Sequence, residues 1–418
     1  MNLLKYKEVG FDFRNAIARK LPDDLVADIA NRTEALYTEG ELAFNRMELE
    51  PAQKIYTNVT AVNPTLSKAW FKIGECYFIR KEFPKAIENY NLAIKNDGQF
   101  ADAFYKKGLC RIEMGAYKES ILEFRKASEI TPNYFAALFW EGRALMKLKN
   151  FQEAISPLQR INVPEKDIDK YFSKSFFAEV HNNLGICLYM AKNYQEAIPQ
   201  FTTSLRFNLQ FAEAFFYRGL SYNELGKYND AIEDIQKSIS FDPDKVEKFV
   251  EISKVYYSAG RYNEALSNFE TALRLDKSNL YQTELYLTKG YCNFYLERYK
   301  DATDDFLKAI ELDSKKGDKS LYKTLSTAFL YNNQPQEAFD AVNKALKLDS
   351  TYAEAQTVLA CYHVQKNNNV EALAIFEKLL QSKSITGQFI KKDKLLNFIN
   401  KDFRDNKDLK ILIKKYAN

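Results

Sequence analysis

SKAWFKIGECYFIRKEFPKAIENYNLAIKNDGQF, residues Ser67 to Phe100, sets the plan of the chain. Trp70, Ile73, Gly74 and Tyr77 recur at the three- and four-residue spacing that places side chains on one face of an α-helix. After a break at Lys81–Pro84, Ala86, Tyr90 and Ala93 do the same. The stretch predicts two amphipathic helices joined by a tight turn. Two helices of this length bury too little apolar surface to stand alone, so they need neighbours of the same kind.

The neighbours are present. Gly74, Gly108 and Gly142 are 34 residues apart, as are Gly185 and Gly219, and Ser253, Gly290, Ser326 and Ala360 continue the series with small insertions. Twelve residues after each stands a small residue: Ala86, Ser120, Ala154, Ala197, Ala231, Ala265, Ala302, Ala338 and Ala372. Four further on stands a bulky one, among them Tyr90, Phe124, Phe201, Phe269, Phe306 and Phe376. A small residue at a helix crossing lets the backbones approach, and a large one fills the space beside it. The pattern resembles the tetratricopeptide repeat, whose Trp, Leu-Gly, Tyr, Ala, Phe and Ala positions are met here by Trp70, Ile73-Gly74, Tyr77, Ala86, Tyr90 and Ala93. The resemblance runs over residues 33–386, about ten repeats. It implies an all-α fold: a right-handed superhelical solenoid of antiparallel helix pairs.

The organisation expected from this register has four parts. Residues 1–32, with Leu3, Leu4, Phe11 and Phe13, read as an N-terminal helical cap, and Pro22-Asp23-Asp24 as a helix start. Residues 33–168 hold repeats one to four, the first and last degenerate. Residues 169–386 hold a lengthened helix and repeats five to ten. The interval from Gly142 to Gly185 is 43 residues rather than 34, and Pro164 ends a helix inside it. Asp167 or Asp169 is the expected cap of the next helix, which would run from about Asp169 to Met190. The extra segment, 162–177, reads either as a plain insertion or as a hinge. Residues 387–418 read as basic capping helices, with nine Lys/Arg against four Asp from Lys391 onward. Within repeat three, Lys107 and Arg111 depart from the pattern and are candidates to face a partner.

Composition narrows the function. A charged fraction of 28% and an apolar fraction of 46% fit a folded, water-borne chain. The formal net charge of +4 argues against a general polyanion binder, so no nucleic-acid partner is expected. There is no run of 18 apolar residues and no apolar leader after Met1, so neither a transmembrane segment nor a secretion signal is expected. Cys76, Cys110, Cys187, Cys292 and Cys361 follow the repeat spacing rather than a ligand spacing and read as core thiols. A reducing, cytoplasmic setting suits them. His181 and His363 occupy packing positions of their repeats, and Asp304-Asp305 reads as solvated surface. With no metal-ligand spacing and no phosphate-binding glycine loop, no enzyme activity and no cofactor are expected.

The resemblance also implies a binding surface. In that family the first helix of each repeat lines a concave wall through residues one, five and eight places after the Trp70 equivalent. Here the candidate peptide-binding groove is Phe71, Glu75, Phe78, Tyr105, Leu109, Phe139, Trp140, Arg143, Asn182, Asn183, Tyr189, Phe216, Tyr217 and Asn223. Such a wall suits an extended or helical peptide with apolar anchors. The leading expectation is therefore a non-catalytic scaffold or adaptor that holds a protein or peptide partner. The alternatives are a peptide-responsive regulator of the bacterial tetratricopeptide type, a chaperone co-factor, and a nucleic-acid binder acting through the basic C-terminus. The chaperone clamp of the family needs Lys and Asn where this chain has Phe139 and Arg143, and Lys and Arg where it has Glu213 and Tyr217.

Overall fold

The computed structural model describes residues 23–163, 173–313, 315 and 317–416. Among these every regular element is helical. The chain divides into two compact units, residues 1–221 and 222–418, with the division inside the helix Ala212–Glu224.

The first unit is a stack of helix pairs. Asp23–Asn45 pairs with Leu49–Val62, Ser67–Ile79 with Phe83–Asn96, Ala101–Glu113 with Tyr117–Ile130, Phe135–Lys147 with Phe151–Gln159, and Lys174–Met190 with Tyr194–Phe207. Each second helix packs on the first helix of the next pair. The turns repeat one chemistry. In repeat two the Lys81 N–H donates to the Phe78 carbonyl and the Glu82 N–H to the Tyr77 carbonyl, both at 2.9 Å, closing the helix end. Lys81 then takes a left-handed conformation (φ 62°), and Pro84 falls in the first turn of the next helix, where its missing N–H costs nothing.

The 34-residue register has a direct steric origin. A Cβ added to Gly108 would lie 2.6 Å from the Phe124 ring, and one added to Gly185 would lie 2.6 Å from Phe201. Phe124 and Phe201 have no exposed surface. At Gly40, Gly74, Gly108, Gly185 and Gly290 the glycine is thus the seat of an aromatic ring from the second helix, whereas Gly142 faces Leu158. Where serine replaces glycine in the second unit its hydroxyl is absorbed: Ser326 Oγ donates to the Ala338 carbonyl at 2.7 Å, across to the partner helix. All five cysteines are buried and free, and burial pushes the Cys187 and Cys292 thiols up to about 12.

Several expectations are revised. The helix Asp23–Asn45 runs through the anticipated boundary at 32/33 without a break; the expected start at Pro22-Asp23-Asp24 is not tested, because residues 1–22 lie outside the described residues. The lengthened helix begins at Lys174 rather than near Asp169, because Ser173 is extended and its Oγ accepts the Phe176 N–H at 3.1 Å. Asp167 and Asp169 lie outside the described residues. Lys107 and Arg111 face Glu123, at 2.9 and 3.4 Å, so their charges are met within the repeat. Asp304 is exposed, but Asp305 is 5% exposed and is held by Lys289 at 2.9 Å and Asn293 at 2.7 Å. Its pKa is nevertheless raised, since desolvation outweighs both contacts.

The second unit continues with Tyr228–Phe241 and four pairs: Val246–Ser258 with Tyr262–Leu275, Gln282–Tyr295 with Tyr299–Leu312, Lys319–Tyr331 with Pro335–Leu348, and Ala353–Gln365 with Asn369–Gln381. Its end is closed by three short helices and a 3-10 turn rather than by a helix pair. Asp393, Asn400 and Asn406 each cap the following element through a side-chain oxygen, and these caps divide the segment into short elements. Ile390, Leu395, Leu396, Phe403 and Leu409 bury against the last repeat, while Phe398 and Ile411 stay exposed.

Candidate functional site

Of the fourteen candidate groove residues, thirteen belong to the first unit and Asn223 to the second. In repeats two and three the candidates are half-buried and already engaged. Phe71 lies between Tyr90 and Phe100, with ring centroids 5.5 and 4.9 Å away. Phe78 rests on Phe83 at 5.8 Å under the Lys106 ammonium, and Tyr105 lies 5.0 Å from Tyr134. Leu109 packs beside Phe124 and Ala127. Glu75 accepts the Tyr90 hydroxyl at 2.7 Å and the Lys106 ammonium at 3.1 Å. Glu41 repeats that arrangement with the Tyr56 hydroxyl and Lys72, one repeat earlier. The two carboxylates tie successive first helices together at a spacing of 31 residues, a polar ladder readable from the sequence once the hydroxyls are placed.

Repeats four to six are arranged differently. Phe139 is buried, at 3% exposed, and meets Trp140 edge-on and Phe176 at a tilt. Trp140 is half-buried, and the Arg143 guanidinium lies 4.8 Å above its ring while pairing with Glu179 at 3.1 Å. Tyr189 lies 5.5 Å from Tyr217, which stacks nearly parallel on Phe201 and sits edge-on to Phe216. Between these helices is a cavity of about 440 Å³, lined in part by Arg143, Phe151, Glu179, Asn182, Asn183 and Glu213. Three of the sequence candidates therefore converge on one space: Arg143, Asn182 and Asn183. Lys147, Phe151, Glu179 and Phe211 were not foreseen, because they come from helix ends and from the unit in which the 34-residue register fails.

The polar chemistry of this cavity is incomplete. Asn182 is fully buried and its Nδ2 donates to Glu213 Oε2 at 2.7 Å. A carboxylate only accepts, which fixes the amide orientation and leaves Asn182 Oδ1 as a buried acceptor without a partner. Asn183, at 8% exposed, has a buried Nδ2 donor without a partner. Such unpaired groups cost about 1–3 kcal/mol each. Nearby, His181 Nδ1 lies 2.7 Å from Gln200 Oε1, and burial lowers its pKa, so the ring is neutral and structural. Among the described residues no group of three His, Cys, Asp or Glu side chains is placed to hold a metal ion, and no helix is long and apolar enough to cross a membrane.

Stacked antiparallel helix pairs with a cavity between first helices are the architecture of a helical repeat protein. Models of the tetratricopeptide repeat match residues 37–99, 101–134, 178–210, 212–245, 250–316 and 324–384. The chain belongs to the tetratricopeptide repeat family, a non-catalytic fold that generally binds proteins or peptides. Residues 135–177, which include repeat four and the insertion, are matched by none of these models. Among solved structures the chain is similar to YrrB, described as a TPR protein with an unusual peptide-binding site, at 23% identity over 46% of this chain and 95% of that one (TM-score 0.42). It is similar to MamA at 24% identity over 44% and 94% (TM-score 0.38). A tetratricopeptide repeat protein from Parabacteroides merdae ATCC 43184 aligns at 15% identity over 68% and 99% (TM-score 0.42). No curated protein matches the chain in sequence.

Proposed function

We propose that the chain is a scaffold that holds an extended segment of a partner protein in its first unit, in a groove centred on the cavity at Asn182 and Asn183. The observation that carries this reading is the pair of buried, unpartnered amide atoms: one acceptor, Asn182 Oδ1, and one donor, Asn183 Nδ2. A peptide group offers the complementary N–H and C=O, and because both amides are covered in the free chain, binding turns them toward the cavity and relieves two desolvation penalties. Trp140, Tyr189, Phe216 and Tyr217 are half-buried and provide apolar contact beside the cavity. Arg143 and Lys147 are offset by Glu179 and Glu213, so the site has no strong charge preference and recognition rests on amide pairing and apolar burial.

The test is selection of a displayed random-peptide library on the folded chain, followed by calorimetric titration of an enriched peptide. Asn183→Ala and Trp140→Ala should each weaken that peptide more than tenfold at a temperature where circular dichroism shows the variant folded, although Trp140→Ala lowers the melting temperature by removing its packing on Phe139. Peptides that bind both variants as tightly as wild type would overturn the proposal.

A further inference from the structure

The second unit contains a larger cavity of about 670 Å³. Its floor is made by the first helices of the last repeats, through Phe294, Tyr331 and Val358, and its roof by the segment Thr386–Leu395. The roof is fixed. Thr386 Oγ1 accepts the Phe389 N–H at 3.1 Å, Asp393 Oδ1 accepts the Leu396 N–H at 2.7 Å, and Ile390 and Leu396 are wholly buried. The cavity is therefore pre-formed, with apolar contact from Phe294, Tyr331, Val358, Phe389 and Leu395 among polar side chains, and the volume lies in the range of small-ligand sites, roughly 300–1,000 Å³.

One group in this cavity has no counterpart. Lys323, from Lys319–Tyr331, is half-buried and forms no ion pair and no side-chain hydrogen bond among the described residues. The two carboxylates that line the same space are otherwise placed. Glu354 is exposed, and Asp393 is committed to its helix cap. Lys392 and Lys394 stand exposed at the mouth. Burial lowers the Lys323 pKa and Glu354 only opposes this, which is the behaviour of a cation that lacks a close partner. The Thr327 and Thr357 hydroxyls donate to their own helices, at the Lys323 and Ala353 carbonyls, so toward the cavity they offer lone pairs and no proton.

We propose that this cavity is a second binding site, and that it takes a carboxylate carried on an apolar body, with the acid group on Lys323 and the body against Phe294, Tyr331 and Phe389. The half-buried Lys323 ammonium can pair with one carboxylate, while Lys392 and Lys394 remain in solvent at the mouth. The acid can be a small free acid or the C-terminal carboxylate of a peptide ending in an apolar residue; the chemistry is shared. The site lies within the second unit and does not depend on the groove reading of the first.

Four probes separate the possibilities by calorimetric titration of the full chain: 4-phenylbutyrate, its primary amide, N-acetyl-Leu-Phe acid and N-acetyl-Leu-Phe amide. At least one acid should bind at least tenfold more tightly than its own amide. Binding by phenylbutyrate alone assigns a small acid; binding by the dipeptide acid alone assigns a chain terminus. Lys323→Met, which removes a desolvated charge at similar volume, should melt no lower than wild type and should abolish the acid preference. Lys394→Gln, at the mouth, should keep it, and Phe389→Ala should weaken an acid and its amide alike. Equal affinity of acid and amide, an acid preference that survives Lys323→Met, or no binding of any of the four probes at millimolar concentration would overturn the site.

Discussion

Gly185→Ala tests the steric origin of the repeat. The added Cβ would meet Phe201 Cε1 at 2.6 Å and Cδ1 at 2.8 Å, and Phe201 has nowhere to move, being fully buried and stacked on Tyr217. Overpacking of this kind costs about 1–3 kcal/mol. The better helix propensity of alanine returns about 1 kcal/mol, so the net loss is about 0–2 kcal/mol. For a unit of this size each kcal/mol lowers the melting midpoint by about 2–4 °C, giving a fall of up to roughly 8 °C by circular dichroism. Gly98, whose added Cβ would meet nothing within 4 Å, is the internal control. Gly98→Ala should leave the midpoint unchanged or raise it slightly. Pairing Gly185→Ala with Phe201→Val should cost less than the sum of the two single changes, since each relieves the other. This chain combines Ser326 with Val342, but it also combines Ser253 with the buried Phe269 and Ala360 with the buried Phe376, where the helix pair has adjusted to a Cβ. A Gly185→Ala chain as stable as Gly98→Ala, or strict additivity in the double variant, would refute the argument that ring and glycine set the register.

Three further outcomes follow from the contacts. Tyr90→Phe removes the hydroxyl that donates to Glu75 but leaves the Lys106 pair, so urea denaturation should show a loss of about 1 kcal/mol with an unchanged slope. His181 has a folded-state pKa below its unfolded value, so its contribution to stability is present above about pH 6.5 and declines as pH falls, when the unfolded chain takes up the proton more readily. His181→Gln should therefore narrow the difference in melting temperature between pH 7 and pH 5. Affinity for a peptide selected on the first unit should change less than threefold between 50 and 300 mM salt, because Arg143 faces Glu179 and the two cations lining the cavity are matched in number by two carboxylates; a steep fall would mean that charge, not amide pairing, drives binding.

The fold was largely legible in the sequence, because one steric requirement recurs with one period: Gly74 with Tyr90, Gly108 with Phe124 and Gly185 with Phe201 repeat a single contact. Where the period fails, the reading was weaker. The start of the helix at Lys174 turned on the local Oγ bond of Ser173, which competed with two equally plausible aspartates upstream. The C-terminal elements were less legible because Asp393, Asn400 and Asn406 act as caps that divide the segment into short elements. Asp305 looked like surface because its exposure depends on Lys289 and Asn293 in the facing helix. The candidate site was legible as a list of inward positions but not as a cavity. Pattern alone does not separate Phe139, which is buried, from Trp140, which is half-buried. Nor does it reveal that Glu213 satisfies one half of the Asn182 amide and leaves the other open.

The most direct test of peptide capture at Asn182 and Asn183 is hydrogen–deuterium exchange of the full chain with and without a saturating selected peptide. Exchange should slow in the helices Phe135–Lys147 and Lys174–Met190 and in residues 211–217, which carry the cavity-lining side chains, and should be unchanged in residues 67–96. Protection confined to other segments, or none in these three, would contradict the account.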